Sequence, residues 1–155
     1  MKLMINGAVT LGTLDGANVE IFEQVGNDNI FLFGLKSHEV DELWRNGYYS
    51  RNFYHSSERL RGVVDRLNSP IGGQDFSHIA DYLINPGHGI ADPFMCLADF
   101  DSYFYTHSAA TRDWLDRSAW AEKSLMNTAC PGIFASDNSI KKYAEEIWHA
   151  SPIKK

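Results

Sequence analysis

The chain has 155 residues, of which 44% are hydrophobic, and carries seven Tyr, nine Phe and four Trp. That is enough apolar side chain for one folded domain, and it excludes a disordered segment. A net charge of −6 without any Lys/Arg block gives no electrostatic footprint for a phosphate backbone or an anionic membrane, so neither nucleic acid nor membrane is expected as a partner. No uninterrupted apolar run approaches the ~20 residues of a membrane-spanning helix. Cys96 and Cys130 form no CxxC pair and read as reduced core thiols, which points to a cytoplasmic protein.

In chain order, Val9, Thr10, Leu11 and Thr13 favour extended backbone and end in the turn signal Asp15-Gly16, which predicts a short strand buried on both faces, as in a parallel sheet. Asn18 is placed to cap a helix in which Val19, Phe22 and Val25 share a face, with Glu20 and Glu23 early enough to favour the dipole and Gly26 at its end. The apolar run in "NIFLFG" is too short for a buried helix and reads as the next strand. Residues 1–35 thus predict a strand-helix-strand unit.

From residue 36 to 155 the periodicity is mainly helical. Ser37 is placed to cap a helix carrying Val40, Leu43 and Trp44 that ends at Gly47. Leu60, Val63, Val64 and Leu67 form an apolar stripe entered through Ser56 or Ser57. Phe76, Ile79, Ala80 and Leu83 form another, closed by "NPGHG", which includes His88. "PFMCLADF" fits either a third strand or a helix entry, with Asp99 or Asp101 as a cap for a helix through Tyr103, Phe104 and His107. Asp116 is placed to begin a helix containing Trp120. Ser136 or Asp137 caps a last stripe of Ile140, Tyr143, Ala144, Ile147 and Trp148, with Pro152 beyond it. The fold class expected from the pattern is α/β, with a few parallel strands in front of a mostly helical tail.

Local structure accounts for most of the chemistry-bearing residues. The six histidines, His38, His55, His78, His88, His107 and His149, stand in no metal-ligand spacing. Gly7, Gly12 and Gly16 do not form G-x-G-x-x-G between a strand and a helix, so turn and packing roles fit them better than a dinucleotide loop. Asp15, Glu20 and Glu23 are accounted for by a turn and a helix start. "NSPIGGQD" and "NPGHGIADP" read as connections before binding loops. No catalytic triad can be inferred from spacing.

Taken together, "MKLMINGAVTLGTLDGANVEI" resembles the α-glucan phosphorylases, the glycogen and maltodextrin phosphorylase family, at the stretch bearing their pyridoxal-phosphate lysine. The likeness continues through "GNDNIFLFG", "GYYSRNFY" and "CLADFDSY" to "NTACPGIFASDNSIKKYAEEIWH", and is looser between about Ser56 and Ile90. It implies the C-terminal part of a Rossmann-like glycosyltransferase domain of the GT-B type, with 1–155 an incomplete domain. Lys2 matches the lysine that forms a Schiff base with pyridoxal 5'-phosphate. In the family, the cofactor phosphate lies beside the substrate phosphate and relays a proton, and inorganic phosphate cleaves the terminal bond of an α-1,4-glucan to release glucose 1-phosphate.

The family's Glu-Ala-Ser-Gly-Thr-Gly-Asn run before the Met-Lys pair is missing here, as are its phosphate-clamping basic residues and N-terminal domain. The resemblance therefore implies a last piece of a longer, homodimeric enzyme, inactive in phosphorolysis by itself. It also implies that Leu3, Met4 and Ile5 continue a helix ended by Asn6-Gly7, a stub expected to fray unless held, and that the Ile140/Ile147/Trp148 face is exposed for self-association. The competing readings are a folded structural or interaction module that uses no cofactor, and another two-domain glycosyltransferase without pyridoxal phosphate.

Overall fold

The computed structural model describes residues 1–87 and 89–151; the expectations that fall on His88 and Pro152 lie outside the described residues. The chain is α/β and mostly helical. Two parallel strands, β1 (Leu11–Thr13) and β2 (Phe31–Phe33), form one two-stranded sheet. The helices are α1 (Lys2–Ile5), α2 (Ala17–Val25), α3 (Ser37–Arg45), α4 (Ser50–Ser56), α5 (Glu58–Leu67), α6 (Ser77–Ile84), α7 (Cys96–Asp113), α8 (Arg117–Ala129) and α9 (Ser136–Lys142). None is long and apolar enough to cross a membrane, among the described residues.

β1, α2 and β2 reproduce the strand-helix-strand order expected from the sequence. Burial on both faces of the strand does not hold: all three residues of β1 are only half-buried, as are those of β2. Two strands alone cannot cover each other's faces. The cap of α2 is Gly16 at φ +46, and Asn18 lies inside the helix. Gly26 closes α2 at φ +75, and its N–H donates to the Phe22 carbonyl. That is the last regular bond of the helix, and the positive φ, which glycine adopts without a Cβ clash, then turns the chain out of it.

The chain divides into two compact units. The first comprises Met1–Leu11, Gly16–Phe31 and the chain from Ala110 onward. Its buried residues include Met4, Ile21, Val25 and Ile30. Asn127 is fully buried, and its amide nitrogen donates to the carbonyls of Asn29 (2.7 Å) and Lys123 (3.0 Å). This ties α8 to the turn that precedes β2, while the Phe31 ring stacks on Trp120 at 6.0 Å. Asp116 caps α8 as expected, accepting from the N–H groups of Ser118 and Ala119 at 3.1 Å. At the last helix the cap is Ala135; Ser136 and Asp137 are already helical and make no cap bond. From Tyr143 to Ile147 the helix widens into a π turn.

The second unit comprises Gly12–Asp15 and Leu32–Ala109. Leu60, Val64, Ala80 and Leu97 form its core, with Phe53, Leu67, Leu83 and Phe100 packed around them. Full burial of a Leu or Val side chain contributes about 1.5–3 kcal/mol, so the Leu60–Val64–Leu67 stripe is what holds α5. Val63, expected on that stripe, is 47% exposed. Ser57 caps α5, its hydroxyl accepting from the Leu60 N–H at 3.3 Å. Lys36, not Ser37, is the cap residue of α3, and its N–H donates to the Glu39 carboxylate at 2.7 Å.

"PFMCLADF" resolves as a helix entry. α7 starts at Cys96, with Asp99 and Asp101 inside it. The capping carboxylate is Asp92, which accepts from the N–H groups of Cys96 (2.9 Å) and Leu97 (2.8 Å).

Candidate functional site

Lys2 stands on the single turn of α1. The turn stops where Asn6 leaves helical geometry and Gly7 takes φ +80. The Asn6 side-chain amide folds back to donate to the Lys2 carbonyl at 2.8 Å. Four residues are far fewer than the ~12–15 an isolated helix needs, yet this one is anchored. Met4 is 1% exposed, and the Ser124 hydroxyl of α8 donates to the Gly7 carbonyl at 2.8 Å. Gly7 suits this position because its φ of +80 would strain any other residue, and a Cβ would push Ser124 Oγ off the Gly7 carbonyl. The stub is therefore held by one buried side chain and one side-chain hydrogen bond to its closing carbonyl, so the expected fraying is countered.

The side chain of Lys2 is solvent-exposed, and Leu3 and Ile5 beside it are 75% and 48% exposed. Lys2 lines none of the described cavities. Around it the described residues provide an amine on a fixed turn but no enclosing wall and no set of donors for a phosphate. These residues alone do not make a pyridoxal phosphate site.

Two other constellations lie in the second unit. Asp92, 1% exposed, receives the Tyr48 hydroxyl at 2.6 Å in addition to its two helix N–H groups. Burial, and then the bond to Asp92, hold the Tyr48 hydroxyl far above the usual phenol range. Asp92 and Met95 both take left-handed backbone, at φ +49 and +54. Such residues cost about 1–3 kcal/mol each, which the hydrogen bonds of Asp92 offset. Between them Phe94 is thrust outward, 78% exposed.

Asp99, one turn into α7, accepts from the Leu35 N–H at 2.8 Å, and Ser102 Oγ accepts from the Gly34 N–H at 3.0 Å. These bonds catch the chain as it leaves β2. Gly34 is at φ +81, and a Cβ there would come within 2.7 Å of Asp99 Oδ2, so no other residue fits without displacing the carboxylate. Burial raises the Asp99 carboxyl above its ordinary range; the Leu35 N–H opposes this, and Asp92, Asp15 and Glu39 add to it. Thr13, Phe94 and Asp99 are shared walls of two cavities of about 340 and 360 Å³. Sequence reasoning missed both Asp92 and this cavity; the only local signal was an Asp-Pro pair just ahead of an apolar run.

No group of three His, Cys, Asp or Glu side chains gathers as a metal site among the described residues. Asp15 accepts from Thr13 Oγ1 at 3.0 Å, while Glu20 and Glu23 lie on α2. Asp15 and Glu20 thus hold the turn and helix-start positions expected of them, whereas Glu23 lies in the last turn of α2, where its charge does not favour the dipole.

A lysine-bearing turn followed by a parallel strand, a turn and a helix places the chain among α/β proteins, a class that does not by itself fix an activity. Comparison with known proteins narrows it. A family model described as carbohydrate phosphorylase matches residues 1–150, and the chain belongs to that family. The glycogen phosphorylase of Haemophilus influenzae is 42% identical over 157 residues, covering 99% of this chain and 18% of the relative. That of Bacillus subtilis is also 42% identical, covering 99% and 19%. The brain form from Bos taurus is 38% identical, covering 98% and 18%. The chain thus spans less than a fifth of the length of these relatives.

Proposed function

We propose that this chain is the part of an α-glucan phosphorylase that carries the cofactor lysine, Lys2, in a GT-B type domain. The complete cytoplasmic enzyme would use inorganic phosphate to cleave terminal α-1,4-glucosidic bonds and release glucose 1-phosphate, with pyridoxal 5'-phosphate as cofactor. The observation that carries this reading is the family match over residues 1–150, which begins on the Lys2 turn. The contribution of this chain is mechanical: Met4 and Ser124 fix the turn, and the turn fixes the origin of the Lys2 side chain. By itself the chain has no phosphorolysis, because one exposed amine supplies neither the sugar site nor a phosphate clamp.

The test is a fusion of this chain to the preceding portion of the Haemophilus influenzae relative, assayed for cofactor absorbance and glucose 1-phosphate release. Loading and activity that both vanish in Lys2→Ala support the reading. A cofactor-loaded, folded fusion without activity overturns the function, and a Lys2→Ala fusion that still loads covalently overturns the role of Lys2. On the isolated chain, pyridoxal phosphate followed by borohydride and peptide mapping should label Lys2 no more than Lys36 or Lys141.

Self-association belongs to the same proposal. Ile140, Ile147 and Trp148 are 56%, 63% and 62% exposed, an apolar face that favours a partner surface. A monomer by light scattering at high concentration would defeat it.

A further inference from the structure

We propose that the cavity at the carboxyl ends of β1 and β2 binds a small organic cation, with its ammonium group against Asp99 and Asp15 and its apolar body against Phe33, Phe94 and Tyr103. Thr13 ends β1 and Phe33 ends β2, and the carboxyl ends of parallel strands are where open α/β sheets place ligands. The two cavities that meet there, about 340 and 360 Å³, fall within the ~300–1,000 Å³ of small-molecule sites.

The lining selects the ligand's charge. Asp99 borders both cavities and Asp15 borders one, while no Lys, Arg or His lines either among the described residues. The groups that act electrostatically on Asp99 are themselves acidic: Asp92, Asp15 and Glu39. Burial raises its carboxyl first, and these acidic neighbours add to the shift against the Leu35 N–H. A bound cation would supply a counter-charge, whereas an anion would meet only repulsion.

The walls select the body. Phe33, Phe100 and Tyr103 line one cavity together with Phe94, and the Phe33 and Tyr103 rings meet edge to face at 5.2 Å. Aromatic faces attract cations as well as apolar groups. Phe94 is the part of the wall that the fold goes out of its way to display. It is 78% exposed between two left-handed residues, Asp92 and Met95, and lines both cavities.

The experiment is an NMR titration of this chain with benzyltrimethylammonium, benzyl alcohol, phenylacetate and maltose. The expected result is saturable binding of the ammonium probe, with shifts at the amides of Thr13, Leu35 and Phe94. Benzyl alcohol should bind at least about tenfold more weakly, since it lacks the ion pair, and phenylacetate should not bind. Asp99→Asn keeps an oxygen for the Leu35 N–H and should fold, yet lose about tenfold in affinity for the cation, the worth of one half-buried charged contact. Phe94→Ala alters only an exposed side chain and should weaken binding severalfold. Equal binding of benzyl alcohol and the cation would overturn the proposal in favour of a purely apolar cleft. Tighter binding of maltose would overturn it in favour of a polyol site, and unchanged affinity in Asp99→Asn would remove its charge basis.

Discussion

Replacing Asp92 by alanine should detach the start of α7. The carboxylate is 1% exposed and accepts three bonds, from Cys96 N at 2.9 Å, Leu97 N at 2.8 Å and Tyr48 Oη at 2.6 Å. Cys96 is exposed, so its freed N–H turns to water at little cost. Leu97 is 4% exposed and Tyr48 is half-buried, and each unmade bond of that kind costs about 1–3 kcal/mol. Two such losses amount to about 4 kcal/mol, and alanine at φ +49 adds about 1 kcal/mol. Relief of the carboxylate's own desolvation offsets part of this, leaving about 3 kcal/mol. Amide hydrogen exchange reads the effect locally, and exchange at Leu97 should accelerate about a hundredfold. Asp92→Asn tolerates the left-handed backbone and keeps one acceptor, so its cost should be less than half as large. Unchanged Leu97 exchange in Asp92→Ala, with under about 1 kcal/mol lost in urea unfolding, would refute the capping assignment.

Gly34→Ala should cost about 2–3 kcal/mol by urea unfolding, from the strain at φ +81 and the collision with Asp99. Tyr48 ionises far less readily folded than unfolded, so its contribution is full below the ordinary phenol value of about 10 and is lost as pH rises above it. Tyr48→Phe should therefore flatten the alkaline limb of the stability profile while lowering stability at neutral pH by about 1 kcal/mol. Asp99 has a raised carboxyl, so its contribution is full below the ordinary carboxylate range and lost as pH rises through the raised value. Asp99→Asn should remove that fall and be no less stable than the parent at neutral pH, as read from thermal midpoints across the acid range.

The elements legible in the sequence were those that announce themselves through an apolar period of their own. Leu60, Val64 and Leu67 marked α5, and "NIFLFG" marked β2. α4 was not legible, because "SRNFYHS" has no apolar stripe and its buried member is Ser50. The caps were misplaced wherever a suitable Ser, Asp or Asn stood one or more residues inside the helix, as at Asn18, Ser37 and Ser136, since propensity cannot tell a cap from a first-turn residue. Asp92 lay four residues ahead of Cys96, and only the left-handed loop brings its carboxylate back over the helix start. Among the site residues, Lys2 was singled out by family resemblance and not by chemistry, for on its own it is one exposed lysine on a single helical turn. The cavity needed residues from β1, β2 and α7 together, which no local pattern shows.

The π turn from Tyr143 to Ile147, where the Trp148 N–H reaches back five residues to the Tyr143 carbonyl at 2.9 Å, leaves the helix with one residue more than its regular winding uses. Within regular winding an extra residue would turn everything beyond it by about 100° around the axis. Ile140 and Trp148 are therefore phased differently from what their spacing on a regular helix would give. Deleting a single residue between 143 and 147 would close the wide turn and leave Ile140 and the tryptophan at their present relative angle, so the π turn lets the helix carry one more residue without turning this exposed face.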